Sequence, residues 1–499
     1  MPKLNSELMQ HLMPSIYSSS TAKTVSTNGN AGKTNLRSGR FTPNGIRRCL
    51  TLLLIVSCIH WAAISSPAQT MKRVFDKDTP AHRAALKFMR GVNIGNALEY
   101  TNGSPAGGLT YNSSDFTLIK SEGFDHVRIP VAWHLYCGPA PSFTISNEIF
   151  TRADALVNGA LAKRLSGIVD LHHFEPFSKS PSSNTNQFYA IWRQVAAHYA
   201  NYSSIVAFEL LNEPHDIAST ASVNRYFPEA IRQIRVTNPE RTIFIGPGNY
   251  NGMAELTPPS VSTTSSGLVL PNDDLNLIVT VHCYDPYYFT HQGAEWAYDD
   301  TRTVGVVFPG PPLTPIKPDA RITHSFVLDW FRGYNTKSTA INPSSTSAFR
   351  TSLRDLRAWS DYYGRPIHFG EFGCYDMADP VSRADLHRQI RDEMDFRRFG
   401  WCMWDWKAGF HYIKNGRPDP LEIRETMFPP IELKLSDSAT IEFKSAVGKT
   451  FVIQRTDSLL TPVSWQNVAT QTLSTPSFSH FGDTTKSDAG GFYQVLWVK

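Results

Sequence analysis

Two glutamates stand at the ends of short apolar segments, 158 positions apart along the chain. Glu213 closes the segment Phe208-Glu-Leu-Leu-Asn-Glu-Pro, and Glu371 lies in His368-Phe-Gly-Glu-Phe-Gly. Segments of this composition are typical of buried strands. A carboxyl group whose pKa is raised by burial can donate a proton, while a second one that stays ionised can act as a nucleophile or a base. The pair is therefore a candidate for acid–base or covalent chemistry.

Eight short apolar segments recur along the chain, and each is expected to be a β-strand. Their first residues are 35 to 41 positions apart, except for a gap of 89 between the sixth and the seventh. This spacing leaves room for one helix between neighbours, and helical periodicity is present in 188–200 and 349–362. The pattern predicts an α/β fold, the (β/α)8 TIM barrel. A doubly wound open sheet is disfavoured because no Gly-x-Gly-x-x-Gly follows the first strand. The segments are 91–94, 126–131, 167–173, 205–213, 241–248, 277–286, 366–373 and 401–407.

Further polar and aromatic side chains stand at the ends of these expected strands. In a barrel of this kind, the groups that do chemistry lie together at the carboxyl ends of the strands. Their joint occurrence therefore predicts a single site. Cleavage of a glycosidic bond needs an acid and a second carboxylate, which Glu213 and Glu371 could supply. The other residues are Asn96, Glu99, Arg128, His172, His173, Asn212, His282, Tyr284 and Trp404.

Several motifs together resemble family 5 glycoside hydrolases, the cellulase family. The resemblance runs from about Arg90 to Gly409. It implies a retaining mechanism, with Glu213 as the acid/base and Glu371 as the nucleophile. The motifs are Gly91-Val-Asn-Ile-Gly-Asn-Ala-Leu-Glu, His126-Val-Arg-Ile-Pro, Val169-Asp-Leu-His-His, Asn212-Glu-Pro, His282-Cys-Tyr, Gly370-Glu-Phe-Gly and Trp404.

The resemblance also implies a role for each polar neighbour of the pair. Asn212 is expected to hydrogen-bond the 2-hydroxyl of the sugar. Arg128 and Tyr284 are expected to hold the nucleophile, and His282 to tune the acid/base.

The segment Phe289-Thr-His-Gln-Gly-Ala-Glu-Trp resembles a loop of bacterial endoglucanases, some of which are also mannanases. By that likeness the substrate is a β-1,4-glucan, a related β-glucan or a mannan, as a polysaccharide or an oligosaccharide. The flat apolar face of Trp404 suits a pyranose ring. We expect neither a metal nor a cofactor, and we expect a monomer. The residues implied to line the cleft are Asn96, Glu99, His172, His173, His291, Trp296 and Trp404.

Two other classes of protein stay open on the sequence. A non-catalytic carbohydrate-binding surface protein would share the aromatic richness. A metal-dependent barrel hydrolase would need zinc ligands, for which the candidates are His172, His173, His282 and Glu371. The adjacent histidines are expected to point to opposite faces of their strand, which makes them poor joint ligands. The separation between the carboxyl groups of Glu213 and Glu371 tests hydrolysis itself.

Strand alternation makes a further prediction for the fourth strand. It turns Glu209, Leu211 and Glu213 in one direction and Asn212 in the other. Because a lone buried charge is costly, Glu209 is expected to pair with an inward cation such as Arg128.

Composition divides the chain into three regions. We expect residues 1–68 to be a disordered extension with a signal peptide, 72–428 to be the catalytic barrel, and 431–499 to be a small β-sandwich. The last is predicted because strand-like segments with Ser, Thr and Gly turns replace the helical pattern. The long sixth-to-seventh connection contains Phe308-Pro-Gly-Pro-Pro-Leu-Thr-Pro, which is typical of loops, and it is expected to overhang the cleft.

The N-terminal region is predicted to contain an export signal over about 47–68. Arg47-Arg48 precede an apolar run from Leu50 to Ile64, which Ser66-Pro-Ala follows as a cleavage site. A membrane anchor is disfavoured because the run is shorter than the roughly 20 residues that a span needs. Lipoprotein processing at Cys58 is a third alternative. The expected location is secreted, periplasmic or at the cell surface.

Charge and cysteines exclude other functions. Beyond residue 68 the chain carries 41 basic and 43 acidic residues, so it lacks the positive field that nucleic-acid binding requires. The cysteines beyond the signal are scattered without metal-ligand spacing and are expected to be free thiols. They are Cys137, Cys283, Cys374 and Cys402.

Overall fold

The computed structural model describes most of the barrel region and six strands of the C-terminal region. The described residues are 71–99, 108–256, 267–429, 432–435, 440–444, 450–456, 464–472, 479–482 and 492–498. The predicted extension and export signal lie outside the described residues. Within the described part, no helix is both long and apolar enough to cross a membrane.

Eight parallel strands close into a barrel in the order of the chain. Closure is made by β1 and β8, where Arg90 pairs with Trp401. The predicted (β/α)8 barrel is therefore confirmed, and the open sheet is excluded. The strands are β1 Arg90–Asn93, β2 His126–Val131, β3 Ser166–Leu171, β4 Val206–Glu209, β5 Ile243–Ile245, β6 Leu277–Cys283, β7 Ile367–Phe372 and β8 Gly400–Met403.

Helices connect the strands, and local sequence signals set their ends. The helix after β1 begins with a capping box, in which Asn112 and Asp115 each bond the other's backbone amide, and it ends at Gly123 with φ of 113°. The two helices predicted from periodicity are present as Pro181–His198 and Arg350–Tyr363. The others are Pro80–Ala85, Ser113–Glu122, Asn147–Ala162, Glu175–Lys179, Thr220–Arg235, Tyr287–Thr290, Ser325–Thr336, Pro380–Phe396 and Ile423–Met427, with a turn over Gly248–Asn251.

The barrel interior changes from apolar to charged along the strands. A fully buried apolar cluster fills one layer and contains Phe88, Ile168, Ala207, Phe244 and Ile278. Two residues further along β3 and β4, the interior positions hold Asp170 and Glu209, which are also fully buried. The apolar layer therefore supports a polar layer at the carboxyl ends of the strands, where the site forms.

A bulge in β7 turns Glu371 toward the interior. The register between β6 and β7 shifts between Val281 and His282, so that His282 pairs with Glu371. The shift requires Gly370, because a Cβ there would lie 2.7 Å from Thr280 Oγ1. The extra residue lets the inward positions of β7 change from Gly370 to Glu371.

The long connection between β6 and β7 packs in two parts. Its first part, through Trp296, lies beside the site described below. In its Pro-rich part, the backbone amide of Phe308 donates to Ser382 Oγ at 2.9 Å, and that of Gly310 donates to the carbonyl oxygen of Ser344 at 2.7 Å. These bonds fasten the proline segment to the start of the helix after β7, and the prediction that the insertion overhangs the cleft stays a prediction.

The C-terminal region contains two antiparallel sheets of three strands. One has the order Glu432–Leu435, Thr440–Lys444, Ser479–Gly482, and the other Gln466–Thr472, Thr450–Thr456, Phe492–Val498. Ile441 of the first sheet packs with Phe451 and Ile453 of the second, so the two sheets enclose one small core. This arrangement confirms the predicted β-sandwich.

Candidate active site

The carboxyl groups of Glu213 and Glu371 meet at the carboxyl ends of β4 and β7. One oxygen of each, together with a ring nitrogen of His282, lies within 4.8 Å of the others. Retaining glycosidases hold the two carboxyl groups about 5 to 5.5 Å apart, whereas inverting enzymes need about 6.5 to 9.5 Å for an intervening water. The separation therefore suits direct attack by one carboxylate. It also excludes the distant placement that would have counted against hydrolysis.

The chain reaches Glu213 by leaving the strand. β4 ends at Glu209, and Glu213 has a left-handed backbone with φ of 48°. Asn212 Oδ1 accepts from Arg128 Nη2 at 2.8 Å, so Asn212 faces the same interior as Glu209. The predicted alternation, which turned Asn212 away from both glutamates, is wrong. It fails because side chains alternate only while the backbone stays extended.

Arg128 is buried at the centre of the site and binds several of its polar groups. It donates to both oxygens of Glu209, at 2.8 and 2.9 Å, which confirms the predicted pairing. Its Nη2 also lies 2.8 Å from Asp170, and its Nη1 lies 2.9 Å from Glu371 and 3.0 Å from Asn93 Oδ1. One guanidinium thus serves three carboxyl groups, all nearly or completely buried. This sharing fixes the position of Glu371 while leaving the cluster short of positive charge.

The two central carboxyl groups differ in their donors. Glu371 accepts from Arg128 and from the hydroxyl of Tyr284 at 2.8 Å, whereas Glu213 Oε1 lies 2.8 Å from His282 Nδ1. Burial raises the pKa of Glu213 to about 7 and that of Glu371 to about 7. The sequence predicted one raised pKa and one ionised group, but the structure places the two in one coupled titration. Because Glu371 has the stronger donors, it loses the first proton.

His282 connects the acid/base candidate to a residue that the sequence did not indicate. Its Nε2 lies 3.3 Å from Asn251 Nδ2, and its Nδ1 faces Glu213. Burial lowers the pKa of His282, so its ring is neutral. A neutral ring that accepts from Asn251 at Nε2 carries its proton on Nδ1 and can donate it toward Glu213.

His172, His173 and Trp404 form one aromatic group beside the pair. The His172 ring stacks on Trp404 with centroids 5.7 Å apart at 10°, and it meets the His173 ring edge-on at 4.1 Å. His172 Nδ1 also lies 3.2 Å from Asp170. The prediction that the two histidines point to opposite faces is wrong, because both follow Leu171, where β3 ends, and His173 has φ of 52°.

His291 and Trp296 belong to a second aromatic group that begins at Tyr284. The His291 ring lies edge-on to Tyr284 at 5.0 Å, and Phe410 contacts both at 5.8 Å or less. Trp296 is 54% exposed and packs edge-on against Tyr375 at 4.6 Å. The structure therefore brings both predicted cleft residues to one wall. Phe410 and Tyr375 of that wall were not predicted.

Asn96 and Glu99 shape the loop after β1. The carboxylate of Glu99 accepts from the backbone amides of Asn96, Ala97 and Leu98, and its side chain is buried. These bonds engage both oxygens in the loop, and the prediction that Glu99 lines the cleft stays a prediction. Asn96 is half-buried with φ of 57° and stays a candidate for the cleft.

Two residues that hold the centre together were missed as site residues. Asp170 binds Arg128 and His172, and Asn93 Nδ2 donates to the carbonyl oxygen of Gly370 at 3.0 Å. Alternation from Ile168 and Gly91 would have placed both on the inner face. Strand alternation thus indicates both residues, but only residues at strand ends were predicted for the site.

The donor atoms at the centre of the site also bear on the alternative of a metal-dependent hydrolase. Glu213, His282 and Glu371 offer two oxygens and one nitrogen within 4.8 Å, which a divalent cation could in principle use. These atoms already hydrogen-bond one another or accept from Arg128 and Tyr284. Because their hydrogen bonds are already made within the protein, these atoms suit proton transfer better than metal binding. The cysteines Cys137, Cys283, Cys374 and Cys402 are free thiols.

A closed (β/α)8 barrel with paired carboxyl groups on β4 and β7 is the architecture of a class of glycoside hydrolases. Residues 92–409 match Cellulase (glycosyl hydrolase family 5), and the chain belongs to that family.

Similar proteins agree with this assignment. The chain is 28% identical over 323 residues to Endoglucanase H of Acetivibrio thermocellus, covering 64% of this chain and 29% of that protein. It is 25% identical over 363 residues to Endoglucanase 3 of Fibrobacter succinogenes, covering 68% and 52%. It thus spans 29% and 52% of the length of these relatives. Among solved structures, Thermotoga maritima Cel5A with cellobiose has a TM-score of 0.58 and 30% identity, covering 69% of this chain and 99% of that one. The same enzyme with mannotriose has a TM-score of 0.57 and 29% identity, with the same coverage.

Proposed function

We propose that the protein is a retaining β-glycoside hydrolase that cleaves β-1,4-glucan or related β-glucan and mannan chains. The observation that carries the proposal is the approach of the Glu213 and Glu371 oxygens to within 4.8 Å, at the ends of two barrel strands. Endoglucanase relatives, and a neighbour solved with both cellobiose and mannotriose, support this substrate class.

In the first step, Glu371 attacks the anomeric carbon while Glu213 protonates the leaving oxygen. Arg128 and Tyr284 each bind one oxygen of Glu371, which fixes the carboxylate without covering the face toward Glu213. A bond forms between Glu371 and the sugar, and the glycosidic bond breaks.

In the second step, the ionised Glu213 accepts a proton from water, which attacks the anomeric carbon and releases Glu371. The Glu213 side chain is 23% exposed, so water can reach it, whereas that of Glu371 is 6% exposed. Donation followed by acceptance requires the pKa of Glu213 to lie near the working pH, as its raised value of about 7 allows.

The aromatic groups on either side of the pair suit a chain of pyranose rings. Trp404 is half-buried and offers a flat face supported by His172, while Trp296 is half exposed on the other wall. We propose that these two tryptophans bind sugar rings. Asn212 Nδ2 is a buried donor without a partner among the described residues, which suits it to the sugar 2-hydroxyl.

We also propose that the protein is exported and monomeric, the export resting on the signal-like sequence at about 47–68. A non-catalytic carbohydrate-binding role is the alternative, and the intact carboxyl pair disfavours it.

The test is a product profile on a panel of soluble β-glucans and mannans. The protein should release reducing ends with retained anomeric configuration from at least one β-1,4-linked substrate. The variant carrying both Glu213→Gln and Glu371→Gln should release none. Absence of cleavage across the panel would favour the binding alternative.

A further inference from the structure

The backbone of Glu213 is in an unfavourable conformation that its surroundings must maintain. A residue other than glycine with φ of 48° is uncommon, and its backbone is strained. The carbonyl oxygen of Glu213 accepts from His215 Nδ1 at 2.7 Å. The donor, His215, is two residues further along the chain. Its bond restrains the peptide group that follows Glu213.

His215 is itself held on two sides. Its ring stacks on Tyr250 with centroids 4.6 Å apart at 5°, and its Nε2 lies 3.4 Å from Glu175 Oε2. With an acceptor at each nitrogen, the ring can donate from both. Burial lowers the pKa of His215, but bonds to Glu175 and to the Glu213 carbonyl raise it overall. The other charged neighbours are Asp216, which favours the cation, and Lys179, 3.9 Å from Glu175.

The turn after β5 contacts neighbours of Glu213 on two sides. Asn249, Tyr250 and Asn251 all have left-handed backbones, with φ of 54°, 58° and 53°. This shape lets the amide of Tyr250 donate to the carbonyl oxygen of Pro214 at 3.1 Å while its ring meets His215. The next residue, Asn251, reaches His282 on the carboxyl side of Glu213.

We propose that His215 and Tyr250 are positioning residues that aim the carboxyl group of Glu213 at the leaving-group oxygen. The inference rests on the proposed function and adds to it how the proton donor is held. Both residues act through Glu213, one by its bond to the carbonyl and the other by supporting that ring. Their loss should therefore impair the step that needs an acid, and should spare nucleophilic attack by Glu371.

The experiment compares His215→Phe, His215→Asn and His215→Gln on aryl β-glycosides of graded leaving-group acidity. Phe keeps a flat ring but no donor; Asn places an amide near the position of Nδ1, and Gln places one near Nε2. His215→Phe should lose roughly tenfold or more in kcat/KM with phenolate leaving groups and less than about threefold with dinitrophenolate. His215→Asn should recover most of the loss, and His215→Gln should not.

Equal losses on both kinds of leaving group, or an Asn variant no better than Gln, would overturn the proposal. If His215→Phe does not fold, the comparison of Asn with Gln decides alone. Labelling of Glu371 by a fluorinated glycosyl probe should persist in every folded variant. Failure of the proposed function is distinguishable, because the unmodified protein would then neither cleave these glycosides nor accept the label.

Discussion

Arg128 Nη1 donates to Glu371 Oε1 at 2.9 Å inside the barrel, and the same guanidinium binds Glu209 and Asp170. The cation cannot leave the site without exposing three buried carboxyl groups to each other. Because unpaired buried charges are far more costly than paired ones, Arg128 joins the stability of the barrel to the position of the proposed nucleophile.

Replacement of Arg128 by Met should therefore lower the free energy of unfolding by about 3 to 5 kcal/mol at neutral pH. Arg128 lowers the pKa values of Asp170 and Glu371, which burial raises, so loss of the cation raises the folded-state pKa of these two groups further. Stability from an acid whose folded pKa is raised is present at low pH and is lost as pH rises through that value. In urea titrations, the loss of stability caused by Arg128→Met should thus be smaller at pH 5 than at pH 8. Glu209→Gln, which keeps the cation, is the matched control and should show a smaller deficit at pH 8. An equal deficit of Arg128→Met at both pH values would contradict the argument.

Exchange of each central carboxyl group for an amide should separate their roles. Glu371→Gln should abolish covalent labelling by a fluorinated glycosyl probe, because the amide cannot attack the anomeric carbon. Glu213→Gln should keep labelling by a probe with an activated leaving group, yet slow hydrolysis of poor leaving groups by about a hundredfold or more. Mass spectrometry of the intact protein measures the label. Persistent labelling of Glu371→Gln would refute its assignment as nucleophile.

The pH dependence of the pair has a definite sign. Burial raises the pKa of both groups to about 7, and the active form carries one proton, on Glu213. Activity should fall below this region as Glu371 becomes protonated, and above it as Glu213 loses its proton. The charge of Glu213 raises the pKa of Glu371, but Glu213 is still protonated and neutral when Glu371 loses the first proton. In Glu213→Gln, which keeps a neutral side chain at that position, the acidic limb of the labelling rate should therefore stay in place. A limb that moves markedly to lower pH would show that Glu213 ionises before Glu371.

Much of the barrel could be predicted because strand spacing reports topology directly. All eight strands lie within the predicted segments or within one residue of them, and Glu213, Glu371 and Arg128 meet as their strand positions suggested. Period-2 alternation also paired Glu209 with Arg128. These predictions depend only on which residues a strand must bury and on where parallel strands end.

The prediction failed where the backbone stops being extended. Asn212 and His173 follow strand ends, where the backbone is no longer extended, and His173 has φ of 52°. Neither orientation is encoded in hydrophobic spacing. His215 and Tyr250 were missed for the same reason: they meet through a turn of three left-handed residues, a contact between loops with no periodic signal.

Removal of residues 431–499 should leave hydrolysis of soluble oligosaccharides within about twofold. The described residues that form the candidate site all lie in 93–410, outside the β-sandwich. Tyr493, an aromatic residue of the β-sandwich, packs against the small core of that region. Kinetics on a soluble oligosaccharide check this, and binding to insoluble glucan is the companion measurement. Complete loss of turnover by a folded truncation would contradict independent function of the barrel.

Asn212 offers a test at the level of a single sugar hydroxyl. Its Oδ1 is bound to Arg128, while its buried Nδ2 has no partner in the described part of the chain. If Nδ2 binds the 2-hydroxyl in the transition state, the unmodified protein should prefer a normal glycoside over its 2-deoxy analogue by roughly tenfold or more in kcat/KM, about 1.4 kcal/mol. Asn212→Asp keeps an oxygen for Arg128 but loses the amide donor, so the preference should fall below about threefold. Asn212→Ala should reduce it equally while also loosening Arg128. A preference that survives both substitutions would mean that another group reads the 2-hydroxyl, and that the unpartnered amide serves only to orient Arg128.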